Sequence, residues 1–123
     1  MRPLVPPPQL QVSLPRTFAY FKGSCKDQCK ALAKAGLTVD DIDLWEINEA
    51  FAMVTMLAIR EVGIDPDKVN IYGGACAQGH PIGSTGSRLI VTLVHALKRQ
   101  GLTRGIAALC IGGGEAVAMA IEV

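Results

Sequence analysis

Residues 73–87 have the sequence GGACAQGHPIGSTGS, and the predicted elements of the chain are arranged around them. The stretch follows the β-branched run 69–72 and precedes the helical run 88–100. Its five glycines let the backbone approach another group closely, and Pro81 keeps His80 out of the α region. His80 is therefore expected on a stiff, glycine-lined peptide just before a helix, which indicates a functional site. The alternative is a tight packing corner in which the histidine is satisfied.

The rest of the chain predicts strands alternating with helices. Helices are expected over 26–35, from Asn48 to about Val62, and over 88–100; strands are expected over 44–47, 105–110 and 115–122, with a short extended run at 69–72. The helix that begins at Asn48 is apolar nearly all round, so it is expected to be buried between layers. On the last helix, one polar face is expected to carry Arg88, Thr92, His95 and Arg99 towards solvent. The predicted fold class is α/β, a layered mixed sheet with a buried helix and a C-terminal β-hairpin.

The first 25 residues differ from the rest because five of the seven prolines lie between Pro3 and Pro15. We expect residues 1–25 to be an extended, disordered or foreign segment, or else a docking segment, and residues 26–123 to form one domain.

Composition narrows the class of protein. The 123 residues carry a net charge of +1 and only 5% aromatic residues, so no nucleic-acid partner is expected. Hydrophobic residues make up 50% and the mean hydropathy is +0.31, but no apolar run reaches the roughly 18 residues of a membrane span. The excess apolar surface is expected to face another domain or subunit. Four cysteines without a signal peptide favour a reducing compartment, with the cytoplasm expected and an organelle left open.

Three polar residues are expected to meet at the carboxyl ends of the strands, where ligands bind in open α/β sheets. They are Asn48, His80 and Cys110. A histidine and a thiol can move protons near neutral pH, and the glycines after Cys110 can offer bare N–H groups to an oxyanion. Asn48 could hold a water or a substrate oxygen. The ordinary alternatives are a helix N-cap at Asn48, a small buried hydrophobe at Cys110 and a plain hairpin turn at 112–114.

Two other motifs fit poorly. A phosphate-binding P-loop needs Lys and Ser or Thr where this chain has His80 and Pro81. A zinc site could be drawn from Cys25, Cys29, Cys76 and His80, but a whole strand and a buried helix separate Cys29 from Cys76. We expect no metal.

Three sequence blocks resemble the C-terminal part of a thiolase, an acyl-CoA C-acyltransferase. They are NEAFA at 48–52, the glycine stretch at 73–86 and CIGGG at 110–114. The likeness covers about residues 31–123. It implies CoA thioesters as substrates, with acyl-CoA and CoA as the small-molecule partners and no separate cofactor.

The resemblance also implies roles for four residues. His80 would activate a nucleophilic cysteine and help to hold a thioester oxygen, and Asn48 would hold a water in the same oxyanion hole. Cys110 would be the acid and base at the α-carbon and at the leaving CoA sulfur. The backbone N–H of Gly112 would contribute to the oxyanion hole of the acyl-enzyme step.

The family's nucleophilic cysteine lies in a first half that has no counterpart here, and Cys25, Cys29 and Cys76 do not lie in its motif. We therefore expect a truncated product or gene-model fragment that is inactive alone. Its expected partners are the missing N-terminal half or whole thiolase subunits, and the full-length family is expected to be oligomeric. The alternatives are a non-catalytic fragment that associates with thiolase subunits, or a zinc-binding module.

Overall fold

The computed structural model describes the backbone of residues 17–123 and the side chains from Cys25 onward. Its elements are α1 (Thr17–Ala35), β1 (Leu44–Ile47), α2 (Ala52–Val62), a 3-10 turn (Pro66–Lys68), α3 (Ala75–Gln78), α4 (Thr85–Gln100), β2 (Arg104–Cys110) and β3 (Ala116–Glu122). The α/β class predicted from the sequence is confirmed.

The three strands form one mixed sheet in the order β1-β2-β3. β1 runs parallel to β2, with Leu44 opposite Gly105, and β2 runs antiparallel to β3, with Cys110 opposite Ala116. The turn between β2 and β3 is closed by the Ile111 N–H, which donates to the Glu115 carbonyl over 2.8 Å. The predicted C-terminal hairpin is therefore present.

The sheet lies between two helical layers. On one face, Trp45, Ile47 and Ile106 form a core with residues of α1 and α2. On the other face, Leu44 and Ala107 pack against the buried side of α4. All four residues of β1 are buried, as expected for a strand covered on both faces.

Helix α1 begins at Thr17, so the prediction that residues 17–24 are extended is wrong. The last proline of the N-terminal group is Pro15, and nothing in 17–24 blocks helical hydrogen bonding. The prolines themselves lie outside the described residues, and the boundary between residues 25 and 26 stays a prediction.

Helix α2 begins at Ala52, not at Asn48, and Phe51 is its N-cap residue. The expectation that α2 is buried on all sides is also wrong: Val54, Leu57 and Ala58 are buried, whereas Phe51 and Met56 are more than half exposed. The buried residues of α2 lie on one side of the helix, so an apolar composition did not mean complete burial.

The run 69–72 forms a single bridge, Val69 with Trp45, rather than an extended segment. Asn70 then takes a positive φ of 47° and turns the chain away. Helix α4 has the predicted end, with Gly101 in the left-handed conformation, and starts three residues earlier than predicted, at Thr85. His95 is exposed, as predicted.

Candidate active site at the carboxyl ends of β1 and β2

Asn48 extends β1 by one residue and lies next to β2. Its backbone N–H donates to the Ala108 carbonyl over 2.9 Å, and the residue is 1% exposed. Its side-chain Oδ1 and Nδ2 are buried without a hydrogen-bond partner in the described chain. Buried amides are nearly always paired, so this one is available to a water or a ligand atom. The N-cap alternative is excluded, because α2 starts after Phe51.

Cys110 is the last residue of β2, two positions beyond the Ala108 that pairs with Asn48. It is partly buried and takes part in no disulfide. In the turn that follows, Gly112 is exposed, and a Cβ built there would meet nothing within 4 Å. Another molecule can therefore approach the Gly112 backbone closely.

His80 lies on the loop before α4, and the Thr85 hydroxyl holds its ring. Nδ1 of His80 is 2.7 Å from Thr85 Oγ1, and Thr85 is fully buried. The same hydroxyl donates to the Pro81 carbonyl over 3.0 Å. Because its one proton is used there, the hydroxyl accepts from His80, which assigns the proton to Nδ1. Nε2 of the neutral ring is then the acceptor that can serve as a base.

The first turn of α4 lies against the carboxyl ends of both parallel strands. A Cβ built on Gly86 would be 3.6 Å from Leu109 Cδ2, next to Cys110. Nη1 of Arg88 is 3.9 Å from Glu46 Oε2, two residues before Asn48. The fold therefore brings Asn48, Cys110 and the His80 loop to one edge of the sheet, where the sequence had predicted them; their catalytic roles stay predictions.

Glu49, which the sequence reasoning did not single out, anchors the start of the glycine stretch. Its Oε2 accepts from the Cys76 N–H over 2.9 Å, and its Oε1 accepts from Asn70 Nδ2 over 3.2 Å. A Cβ on Gly74 would lie 2.3 Å from the Glu49 carboxyl carbon, so a side chain there would displace the carboxylate. The adjacency of Glu49 to Asn48 in the NEAFA block was the only available signal.

The side chain of Asn70 makes the hydrogen bonds that a neighbouring strand would make at the edge of β1. Its Oδ1 accepts from the Ile47 N–H over 2.8 Å, and its Nδ2 donates to the Ile47 carbonyl over 2.9 Å. The side-chain amide thus satisfies the last backbone groups of β1 directly before Asn48, and helps to fix where that residue lies.

Glu46 and Arg88 form a buried charged pair that was also missed. Glu46 is 2% exposed, and the Arg88 side chain is 18% exposed rather than on the solvent face predicted for it. Burial raises the pKa of Glu46 to about 7, although the Arg88 charge acts in the opposite direction. The helical period predicted that Arg88 and His95 lie on the same solvent-facing side of α4. The first turn of α4, however, passes over the end of β1, so Arg88 faces Glu46 there.

The four cysteines do not build a metal centre. No group of three or more His, Cys, Asp or Glu side chains that could hold a metal comes together within the described part of the chain. The zinc alternative built on Cys25, Cys29, Cys76 and His80 is therefore not supported. The hydrogen bond with the Glu49 carboxylate raises the pKa of the Cys76 thiol, which disfavours a reactive thiolate there. No described helix is long and apolar enough to cross a bilayer.

Comparison with known proteins finds related sequences over most of the chain. The family model described as the thiolase C-terminal domain matches residues 19–123, which is earlier than the residue 31 inferred from the motifs. The cytosolic acetyl-CoA acetyltransferase of Mus musculus is 58% identical over 93 residues, covering 76% of this chain and 23% of that protein. The acetyl-CoA acetyltransferase of Escherichia coli is 54% identical over 93 residues, covering 76% and 24%.

Solved structures give the same result. The Bacillus anthracis acetyl-CoA acetyltransferase aligns with a TM-score of 0.81 and 47% identity, covering 84% of this chain and 26% of that chain. Human mitochondrial 3-ketoacyl-CoA thiolase aligns with a TM-score of 0.81 and 43% identity, with the same coverage. The chain therefore spans about a quarter of the length of these relatives. The resemblance and the layered fold predicted from the sequence are confirmed.

Proposed function

The chain belongs to the family of thiolase C-terminal domains, and on that premise we propose that it is the acid–base portion of an acyltransferase acting on acyl-CoA thioesters. The reaction is the thiolytic cleavage of a 3-ketoacyl-CoA or the reverse Claisen condensation. The observation that carries the proposal is the buried, unpartnered amide of Asn48 at the sheet edge that Cys110 and the His80 loop share. The cytosolic location in the name of one relative supports a cytoplasmic location for this chain.

In condensation, the Cys110 thiolate takes a proton from the α-carbon of an acyl-CoA. The enolate oxygen that results is held by His80 and by a water on the Asn48 amide. The carbon then attacks the carbonyl of an acyl group held as a thioester by a nucleophilic cysteine outside this chain; the new carbon–carbon bond forms as the carbon–sulfur bond breaks, and that cysteine leaves as its thiolate. In thiolysis, Cys110 returns the proton to the departing carbon. Positioned proton transfer of this kind contributes about 10²–10⁴-fold to a rate.

The exposed Gly112 backbone is assigned to the acyl-enzyme step. A developing oxyanion gains most from donors that are already in place, and a glycine has no side chain to keep a bulky substrate away from the backbone. The open space around Gly112 supports this role.

On its own, the chain is expected not to form an acyl-enzyme. None of its cysteines lies in the family's nucleophile motif, and the Glu49 carboxylate raises the pKa of the Cys76 thiol. Incubation of the purified chain with acetoacetyl-CoA and CoA should give no loss of the 3-ketoacyl absorbance. Turnover by the chain alone would contradict the assignment of the nucleophile to another segment.

A chimera tests the proposed roles directly. The matching segment of the Escherichia coli acetyl-CoA acetyltransferase is replaced by the corresponding segment of this chain, and thiolysis of acetoacetyl-CoA is measured. We expect an active chimera that loses about 10²–10⁴-fold in kcat when Cys110→Ala or His80→Ala is introduced. His95→Ala, which changes the other histidine, on α4, is the matched control and should leave kcat unchanged. A folded but inactive chimera would contradict the proposal.

The second candidate is a non-catalytic fragment that associates with thiolase subunits. It is favoured by the number of large apolar side chains at the surface: Phe51, Met56, Tyr72, Ile82, Val91, Ile111, Val117, Met119 and Val123. Size-exclusion chromatography of the chain with a full-length relative separates the two candidates. Co-elution together with an inactive chimera favours this alternative, whereas an active chimera favours the catalytic role.

A further inference from the structure

The glycine stretch is closed at its base by Gln78. The Nε2 of Gln78 donates to the carbonyls of Tyr72 and Gly73, over 3.1 and 2.9 Å, where the stretch begins. Its Oε1 accepts from Arg88 Nη1 over 3.4 Å, just after the stretch ends. One amide therefore joins both ends of the loop that carries His80.

Arg88 connects this closed loop to the sheet. The same Nη1 that reaches Gln78 lies 3.9 Å from Glu46 Oε2 on β1. Nε and Nη2 of Arg88 and Oε2 of Glu46 are buried without a hydrogen-bond partner among the described residues. Removing charges from water without full hydrogen bonding is unfavourable, so the pair is a poor source of stability. What the pair supplies is geometry, because it fixes the loop relative to the strand that leads to Asn48.

We propose that Arg88 is a positioning residue for His80, which rests on the function proposed above for that histidine. Arg88 holds Gln78, two residues before His80, and lies one helical turn after Thr85, whose hydroxyl receives Nδ1. The peptide that carries the ring is thus fixed on both sides. With the ring held against Thr85, the proton stays on Nδ1, and Nε2 is kept as the acceptor.

The contact with Gln78 depends on the length of the arginine side chain. Nη1, which reaches Gln78, lies one bond further from the backbone than a lysine Nζ would, and a lysine ammonium is a compact point charge on a flexible stem. Arg88→Lys therefore keeps the charge opposite Glu46 but loses the contact with Gln78. If Arg88 only balances the charge of Glu46, Arg88→Lys should leave His80 unchanged; if Arg88 positions His80, the substitution should change it.

Nitrogen NMR of the imidazole rings in the full 123-residue chain tests the proposal, because the chain has two histidines and His95 is an exposed internal reference. In the unaltered chain, His80 should show one dominant tautomer with the proton on Nδ1. In Arg88→Lys, with an unchanged far-ultraviolet spectrum, the population of the other tautomer should rise about fivefold, the change that loss of one ordinary hydrogen bond gives. The signals of His95 should not move.

Two further variants complete the test. Gln78→Met removes the acceptor for Arg88 and also the two hydrogen bonds from Nε2 to the Tyr72 and Gly73 carbonyls. Because Gln78 is exposed, this variant should fold, and it should change the His80 tautomers at least as much as Arg88→Lys does. Arg99→Gln removes an exposed arginine from the last turn of the same helix and should leave His80 unchanged. Unchanged His80 tautomers in Arg88→Lys would overturn the proposal, whatever Gln78→Met shows.

This readout is independent of catalysis. An inactive chimera with the predicted His80 changes would refute the proposed function and leave the positioning role standing. An active chimera without those changes would do the reverse.

Discussion

Replacing Gly74 by alanine should destabilise the protein through Glu49, not through the backbone. Gly74 has φ −101° and ψ −161°, which alanine adopts without strain. The new Cβ, however, would lie 2.3 Å from the Glu49 carboxyl carbon and 2.5 Å from both of its oxygens. The carboxylate is the far end of a flexible side chain, so it can move aside, and the cost is the set of hydrogen bonds that it leaves.

Two hydrogen bonds are at stake. The bond from the Cys76 N–H is solvent-exposed, so water replaces much of it; the bond from Asn70 Nδ2 is partly buried. With about 1.5–3 kcal/mol for a hydrogen bond to a charged group in a protected place, and less for an exposed one, Gly74→Ala should cost about 2 kcal/mol. For a domain of this size, that corresponds to a fall in Tm of about 10 °C.

Urea unfolding followed by tryptophan fluorescence measures this cost, because Trp45 is the single tryptophan and is 1% exposed. Gly83→Ala is the matched control: a Cβ there meets nothing within 4 Å, so its effect should stay within about 0.5 kcal/mol. In a Glu49→Ala background, Gly74→Ala should also cost less than about 0.5 kcal/mol, because the clashing group is gone. A full cost that persists in that background would refute the reasoning.

Three other outcomes are expected. Because burial raises the pKa of Glu46 from an ordinary 4.5 to about 7, the folded chain binds this proton more tightly than the unfolded chain. The contribution of Glu46 to the free energy of unfolding should therefore fall by about 3 kcal/mol as pH rises from about 4.5 to 7. Urea titrations at several pH values should show this fall in the unaltered chain and a smaller one in Glu46→Gln; an equal fall in both would contradict the assignment of the proton to Glu46. Asp43→Ala removes the acceptor of two backbone N–H groups at the start of β2, at 3.0 and 2.9 Å, and should cost about 1–2 kcal/mol at pH 7. Those bonds lower the pKa of Asp43 below its ordinary value of 3.8, so the stabilisation is present above pH 3.8 and is lost as pH falls further. A substitution that costs as much at pH 3 as at pH 7 would contradict this prediction. Gly105→Ala places a Cβ 2.6 Å from Cδ1 of the fully buried Leu93 and should cost about 1–3 kcal/mol by thermal unfolding, whereas a neutral effect would mean that α4 can move away from the sheet.

Local chemistry was enough for the type and approximate bounds of most elements; the roles of the candidate site residues came from the resemblance and stay predictions. The stops of α1, α2 and α4 follow from Gly36, Gly63 and Gly101, which all take positive φ. The strands followed from short apolar runs, and the hairpin followed from the glycines between the last two of them. Because parallel strands end at one edge, the meeting of Asn48 with the end of β2 could also be predicted.

Contacts between distant parts of the chain could not be read in this way. Periodicity gives a helix a polar face, but it does not say that α4 crosses the end of β1 and turns Arg88 towards Glu46. Composition gives α2 an apolar surface, but burial depends on how many neighbours reach it, and its buried residues lie on one side of the helix.

The sequence by itself determined which elements carry an imidazole, a thiol and an amide, because residue type and hydrophobic pattern are local properties; that the three groups act together stays a prediction. Only the tertiary structure decided how those groups are held: Thr85 on the His80 ring, Glu49 against Gly74, and Gln78 across the base of the loop. Hydrogen bonds of this kind depend on the relative placement of elements, which is set by packing across the whole sheet.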